Sequence, residues 1–191
     1  MKQELRYSLM AVFIAMSGSL GSSIAMAGDD RHDSHGSGNQ ATGLVKEVRD
    51  ATRRFLDVTI ATGEGYGPFL GCVSGPNVGA MGIHFVNGPL VEDGLLDAGQ
   101  PEVLVYEPGK NGRLRFVAVE YLIIAEAWHA DPAHTAAPVL SGQVFNYVDS
   151  PNRYGLPAFY ELHVWAWKNN PLGTFADWNS KVSCKDYAPE L

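Results

Sequence analysis

The spacing of apolar residues predicts a helix in the first third of the chain. Between about residues 42 and 62, apolar side chains recur at steps of three and four, and charged residues fall mostly opposite them. Thr42 is a suitable N-terminal cap and Gly63 a suitable end. The pattern therefore predicts one amphipathic helix over about 42–62.

Four later segments predict β-strands. These segments are 82–87, 102–107, 113–124 and 159–167. The link between the second and third contains Asn111-Gly112, which favours a tight turn because both residues tolerate positive φ. We therefore expect an antiparallel hairpin of 102–107 and 113–124.

Two stretches lack a clear period. Residues 63–82 are rich in glycine and predict irregular backbone with tight turns; they lack the G-K-[ST] ending of a phosphate-binding loop. Residues 125–157 contain four prolines and predict a long ordered loop, with a short strand or helical turn near 139–148.

One carboxylate interrupts an apolar strand face in 113–124. Strict alternation places these residues on that face: Leu114, Phe116, Ala118, Glu120, Leu122 and Ile124. A lone buried carboxylate is costly and needs a partner. His84 and His163 lie in similar strands and could supply it.

Two imidazoles and one carboxylate form a ligand set used by catalytic zinc and by non-heme iron. The first hypothesis is therefore one divalent metal ion (Zn, Fe, Cu or Mn) bound by His84, Glu120 and His163. Glu161 is a further ligand or an acceptor for an imidazole N–H, and Glu107 is a weaker alternative. The sequence names no reaction and no catalytic residue, and it does not decide whether the protein is an enzyme.

Alternative functions need no metal. No H-E-x-x-H or H-x-H motif occurs, and a buried histidine can simply hydrogen-bond a glutamate. Tyr160, Trp165 and Trp167 could line a pocket, so the second hypothesis is a binding module for a small apolar ligand or a protein. The third is a structural role, in which the polar cluster fixes strand register.

The N-terminus predicts export. Lys2 and Arg6 precede a short apolar run, and Ala25-Met26-Ala27 fits a signal peptidase site. We expect a signal peptide over 1–27, a solvated tail over 28–40 and a single domain over 41–191, located in the periplasm or outside the cell. No later stretch is apolar enough to predict a membrane span after cleavage.

The charge of the chain argues against some partners. The formal net charge is −7, and loss of 1–27, with Lys2, Arg6 and Glu4, moves it to −8. An acidic chain without a Lys/Arg run does not predict binding to nucleic acid or to anionic membranes. A cation, a neutral ligand or another protein is the more natural partner.

The two cysteines, Cys72 and Cys184, are most simply a disulfide in an oxidising compartment. Metal thiolates are the competing interpretation, although neither cysteine has a second Cys or a His at ligand spacing. Together the elements predict an α+β fold: an N-terminal amphipathic helix packed on a curled, mainly antiparallel sheet closed by one disulfide.

Three segments resemble a family of small exported bacterial proteins of unassigned function. They are MGIHFVN, PEVLVYEP followed by GRLRFVAVEY, and YELHVWAWKNNPLGTFADWNSKVSC. The resemblance covers roughly residues 41–184 and is most specific around His84 and His163. It implies one domain and export, and it supplies no activity, cofactor or catalytic residue.

Overall fold

A computed structural model describes residues 35–188. The predicted signal peptide, 1–27, and the first part of the predicted tail, 28–40, lie outside the described residues. No helix in the described part of the chain has the length and apolar character needed to cross a membrane.

The fold is a curled antiparallel half-barrel sheet with a few helices and one disulfide. Its six strands lie in the order β1-β2-β3-β4-β8-β7. They are β1 (Gly67–Gly75), β2 (Gly79–Val86), β3 (Val103–Pro108), β4 (Leu114–Ile124), β7 (Asn146–Val148) and β8 (Phe159–Val164). A separate pair joins β5 (Val139–Leu140) to β6 (Gln143–Val144).

The predicted single helix over about 42–62 is wrong in its continuity. The structure has α1 (His35–Thr52), a 3₁₀ helix (Arg53–Leu56) and α2 (Val58–Gly63), so Thr42 lies inside α1. The break occurs at Asp57, whose extended backbone and side chain cap α2: Oδ1 accepts a hydrogen bond from the Thr59 amide at 3.0 Å. As a result Phe55 is buried, whereas Leu56 is 51% exposed.

The sheet carries apolar clusters on both faces. On one face, called the helix face, Leu44 and Val48 of α1 are buried in one cluster with Tyr106 and Tyr121. On the other, called the cavity face, a second cluster includes Val103, Val105, Leu122, Phe159 and Trp165. Two short helices, α3 (Gly88–Glu92) and α4 (Ala125–His129), complete the fold.

The predicted hairpin of 102–107 and 113–124 is confirmed by the pairing of β3 with β4. Asn111 and Gly112 have φ values of 60° and 70°, as the turn requires. A register shift places Val105 opposite Ala118 and Tyr106 opposite Phe116, which leaves Val117 as an extra residue.

This bulge corrects the predicted face of β4. Leu114 and Phe116 belong to the helix-face cluster, whereas Ala118 and Leu122 belong to the cavity-face cluster. The extra residue reverses the alternation because side chains change face at every residue of a strand. Glu120 keeps its predicted neighbours on the C-terminal side of the bulge only.

The glycine-rich segment is more regular than predicted. It contains β1 and the start of β2, paired antiparallel around a turn where Asn77 and Gly79 have positive φ. A register shift between Phe69 and Cys72 marks a bulge in β1, and Leu70 and Gly71 there have φ values of 62° and 70°. Positive φ at these positions explains why a strand could carry so many glycines.

The predicted disulfide is confirmed: Cys72 in β1 is bonded to Cys184 in the C-terminal segment. The described chain has no free cysteine. The bond therefore holds the β1 bulge against the end of the chain.

The last predicted strand, 159–167, is shorter in the structure. β8 ends at Val164, and the amides of Trp167 and Lys168 both donate hydrogen bonds to the carbonyl of Val117, the extra residue of β4. The long segment 125–157 contains α4 and the short strands β5 to β7, in keeping with the predicted loop and its short strand near 139–148.

Candidate metal centre

The side chains of His84, Glu120 and His163 converge on the cavity face of the sheet. His84 lies in β2, and Glu120 in β4 is directly opposite His163 in β8. The Oε2 atom of Glu120 is 3.4 Å from His84 Nε2 and 3.8 Å from His163 Nε2. The strands thus bring the three predicted residues together, although they are far apart along the chain.

These distances are compatible with a shared ion. Metal bonds of about 2.0–2.1 Å in a tetrahedral arrangement place two ligand atoms about 3.4 Å apart. One potential ligand atom from each of the three side chains lies within 4.8 Å of the others. The group could therefore hold a metal ion after small side-chain shifts.

His163 is an unusual buried histidine. Its side chain is fully buried, and neither ring nitrogen has a hydrogen-bond partner among the described residues. Most buried polar side-chain atoms in proteins are paired, so two orphaned nitrogens on one ring need an explanation. An ion or a water at the centre of the cluster would supply one.

Burial keeps both imidazoles neutral. Loss of solvation lowers the pKa of His84 to about 4, against the opposing effect of a hydrogen bond with the Gly82 backbone. Loss of solvation, followed by the nearby His84, lowers the pKa of His163 to about 3. Neutral imidazole is the form that binds a metal ion.

Glu120 and Glu161 form a hydrogen-bonded carboxyl pair. Burial, and then the neighbouring Glu161, raise the pKa of Glu120 well above its ordinary value. The bond between them opposes the effect of burial on Glu161, whose pKa is nevertheless raised. The pair therefore retains a proton, and burial favours the neutral form of both carboxyl groups.

Asp177 is a member of the cluster that sequence reasoning missed. Its Oδ1 lies 4.0 Å from His163 Nδ1 and accepts a hydrogen bond from Asn146 Nδ2 at 3.1 Å. Glu161, His163 and Asp177 form a second group whose ligand atoms lie close enough for an ion. His163 belongs to both groups.

The loop that carries Asp177 is fixed on both sides. Trp165 Nε1 donates to the carbonyl of Ala176 at 2.6 Å, and Asn170 Nδ2 donates to that of Trp178 at 2.9 Å. Ala80 and Asn179 then form an isolated antiparallel bridge. These contacts connect residues distant in sequence, and no local pattern around Asp177 indicates them.

A cavity of about 110 Å³ lies next to the cluster on the cavity face. Among the described residues that line it, only His84, Glu120 and Glu161 are strongly polar. The rest of the lining is apolar or aromatic: Phe69, Leu70, Val73, Met81, Val86, Val91, Val103, Leu122, Tyr154, Leu156 and Phe159. The cavity thus has a polar patch on an otherwise apolar wall.

The predicted pocket aromatics do not line this cavity. Tyr160 lies in the helix-face cluster, as its strand position requires. Trp167 also turns to that face because β8 ends before it, and its Nε1 donates to Thr52 Oγ1 at 3.2 Å. The Trp165 ring packs against the His163 ring, with ring centroids 6.3 Å apart.

Glu107 lies elsewhere in the fold. Its Oε2 is 2.6 Å from Lys168 Nζ, and its Oε1 accepts a hydrogen bond from the Ser183 amide. Glu107 belongs to neither group of metal-competent residues found in the described part of the chain. Glu107 is therefore engaged by Lys168 and Ser183, apart from His84, Glu120 and His163.

No protein-family model, no curated protein and no solved structure matches this chain. The interpretation of the cluster therefore depends on its own geometry and chemistry.

Proposed function

We propose that this is an exported protein that binds one divalent metal ion through His84, Glu120 and His163. The observation that carries the proposal is the His163 imidazole, fully buried with neither nitrogen paired in the described chain. A metal bound at Nε2 would satisfy one nitrogen, and Asp177 would accept a hydrogen bond from the other.

The charges around the cluster support a divalent cation. Both imidazoles are already in the neutral, ligating form, so only the Glu120 carboxyl has to lose a proton. One ligating carboxylate leaves a divalent ion with a net charge of about +1. Glu161 and Asp177 lie beside the site and can compensate it.

The types of ligand atom restrict which metal ions the site could bind. Two imidazoles and a carboxylate with open positions suit zinc or iron(II), and copper and manganese are further candidates. The cysteines are joined in a disulfide and supply no thiolate. A metal held this way lowers the pKa of a bound water or activates a small molecule, so the site would serve binding or a metal-assisted reaction.

Export is the second part of the proposal. The predicted signal peptide over 1–27 supports export, and a disulfide is the state expected for cysteines in the periplasm or outside the cell. Metal loading should therefore be tested on protein recovered from an oxidising compartment.

The test is metal analysis of the mature protein, purified without a histidine tag and reconstituted separately with Zn, Fe(II), Cu and Mn. We expect one equivalent of one of these metals in the wild type and its loss in His84→Ala, His163→Ala and Glu120→Gln. His129→Ala removes an exposed imidazole outside the cluster and should keep the metal.

Circular dichroism of each variant establishes that it is folded. A folded wild type that takes up none of the four metals would overturn the proposal, as would full metal content in all three cluster variants. Either result would leave the buried cluster with the structural role of fixing strand register.

A further inference from the structure

We propose that the cavity beside the metal centre binds a small uncharged molecule, about the size of phenol, with an apolar body and one hydroxyl group. The inference rests on the proposed function in that it names a ligand class for the same site. The cavity itself does not require the metal, so binding of the small molecule and binding of the metal can be measured separately.

The size of the cavity sets the size of the ligand. Its volume is about 110 Å³, which is room for several waters or one small ring. An apolar protein cavity of about 150 Å³ is known to hold benzene. A single ring or a short branched chain therefore fits, and a fused ring system does not.

The distribution of polar groups sets the orientation of the ligand. Of the fourteen lining residues, only His84, Glu120 and Glu161 carry strongly polar side chains, and each is more than nine-tenths buried. Glu120 and Glu161 are hydrogen-bonded to each other, while His84 and Glu120 would each supply a ligand atom to the proposed centre. A hydroxyl at this patch could bond to Glu161 or approach the metal, and the rest of the molecule would contact apolar side chains.

The same groups disfavour charged ligands. A carboxylate would meet the paired carboxyl groups of Glu120 and Glu161 in a protein of formal charge −7. An ammonium group would compete with the metal ion for the same position. A neutral molecule avoids both costs and loses little solvation on entering an apolar cavity.

Irregular segments contribute exposed apolar side chains to the cavity lining. Leu70 and Phe69 at the β1 bulge are 52% and 36% exposed and also line the cavity. Tyr154 and Leu156 contribute from the segment before β8, and the Tyr154 hydroxyl lies 3.8 Å from Met81 Sδ. Exposed apolar side chains in the lining are consistent with access of an apolar molecule from solvent.

The test measures binding of phenol by titration followed with methyl NMR. We expect saturable shifts of the Leu122 and Val91 methyl signals, with benzoate and cyclohexylamine each binding at least about tenfold more weakly. Val91→Phe, in the short helix α3, fills the cavity and should weaken phenol binding at least about tenfold while metal content is unchanged. Leu95→Phe is the matched control, since Leu95 is 69% exposed and does not line the cavity.

The experiment is run on metal-loaded protein and on protein treated with a chelator. Absence of saturable phenol binding in both forms overturns the inference, as does unchanged affinity in a folded Val91→Phe or equal affinity for benzoate. Saturable phenol binding by a protein that takes up no metal supports the cavity inference and defeats only the metal proposal.

Discussion

The Nδ1 atom of His163 lies 4.0 Å from the Oδ1 atom of Asp177. The other ring nitrogen, Nε2, is directed to Glu120 at 3.8 Å. A carboxylate behind a ligating histidine fixes its tautomer and raises its basicity. Asp177 is therefore a positioning residue for the proposed centre.

Replacing Asp177 should weaken metal binding without removing a ligand. We expect Asp177→Ala to lower the metal affinity about 10- to 100-fold, because the metal-bound His163 would lose the acceptor that Asp177 would supply to its N–H. Asp177→Asn should have a smaller effect, since its amide oxygen can still accept. The affinities are measured by competition with a chromogenic chelator.

Asp149→Ala is the control for that measurement, because Asp149 is an exposed carboxylate outside the cluster. Equal affinities for wild type, Asp177→Ala and Asp149→Ala would contradict the positioning role. Asn146→Ala removes the hydrogen bond donated to Asp177 and should give an intermediate loss.

The buried imidazole of His163 should make the metal-free protein sensitive to acid. Its pKa falls from 6.5 to about 3 on folding, so the unfolded chain takes up a proton that the folded protein does not. Stability is then lost as the pH falls below 6.5, by about 1.4 kcal/mol per pH unit from this group, and the loss ends below pH 3.

The wild-type profile combines this effect with opposite contributions from buried carboxyl groups, so the comparison with His163→Gln isolates it. Urea unfolding from pH 7 to pH 4.5 should show the wild type losing stability relative to the variant as the pH falls. Parallel profiles for the two proteins would mean that His163 is already protonated or is solvated in the folded state.

Local patterns predicted the elements that carry the site. Asn111-Gly112 located the β3–β4 turn, and alternation placed His84, Glu120 and His163 in strands. These features depend on residues near one another in sequence. They were accessible because side-chain parity and turn chemistry are local properties.

Features that depend on distant contacts were not predictable. The bulge at Val117 reverses the parity of Phe116, and its carbonyl accepts the bonds that turn Trp167 to the helix face. Asp177 reaches His163 only because the loop around it is bonded to Trp165 and Ala80. The alternation of residues along a strand predicts which face of the sheet each side chain lies on. Which side chains meet also depends on the order in which strands pair and on where the loops fold back, and neither is a local property.

The disulfide should contribute substantially to stability. Cys72 and Cys184 are separated by 112 residues, and closing so long a loop in the unfolded chain is worth about 4.8 kcal/mol in the chain-entropy model. We expect the double variant Cys72→Ala/Cys184→Ala to lose about that much free energy of unfolding in urea. A reductant should destabilise the wild type to a similar extent and leave the double variant unchanged; a loss below about 1 kcal/mol would contradict the loop-closure argument.

Glu102 should make the protein lose stability as the pH rises from 4.5 to 8. Its side chain is almost fully buried, and its Oε2 accepts a hydrogen bond from the Leu122 amide at 3.1 Å. Burial raises the pKa of Glu102 from 4.5 to about 8, so the folded protein retains a proton that the unfolded chain releases. This contribution to stability is full below pH 4.5, decreases by about 1.4 kcal/mol per pH unit above it, and is constant again above pH 8.

Glu102→Gln keeps an acceptor for the Leu122 amide and cannot ionise. The free energy of unfolding of this variant should therefore rise relative to that of the wild type as the pH increases from 4.5 to 8. The readout is the slope of the difference in free energy of unfolding, which is independent of any constant packing cost of the amide. Glu47→Gln, at an exposed position on α1, is the matched control for the substitution itself. A flat difference for Glu102→Gln over this range would show that Glu102 ionises in the folded protein at the same pH as in the unfolded chain.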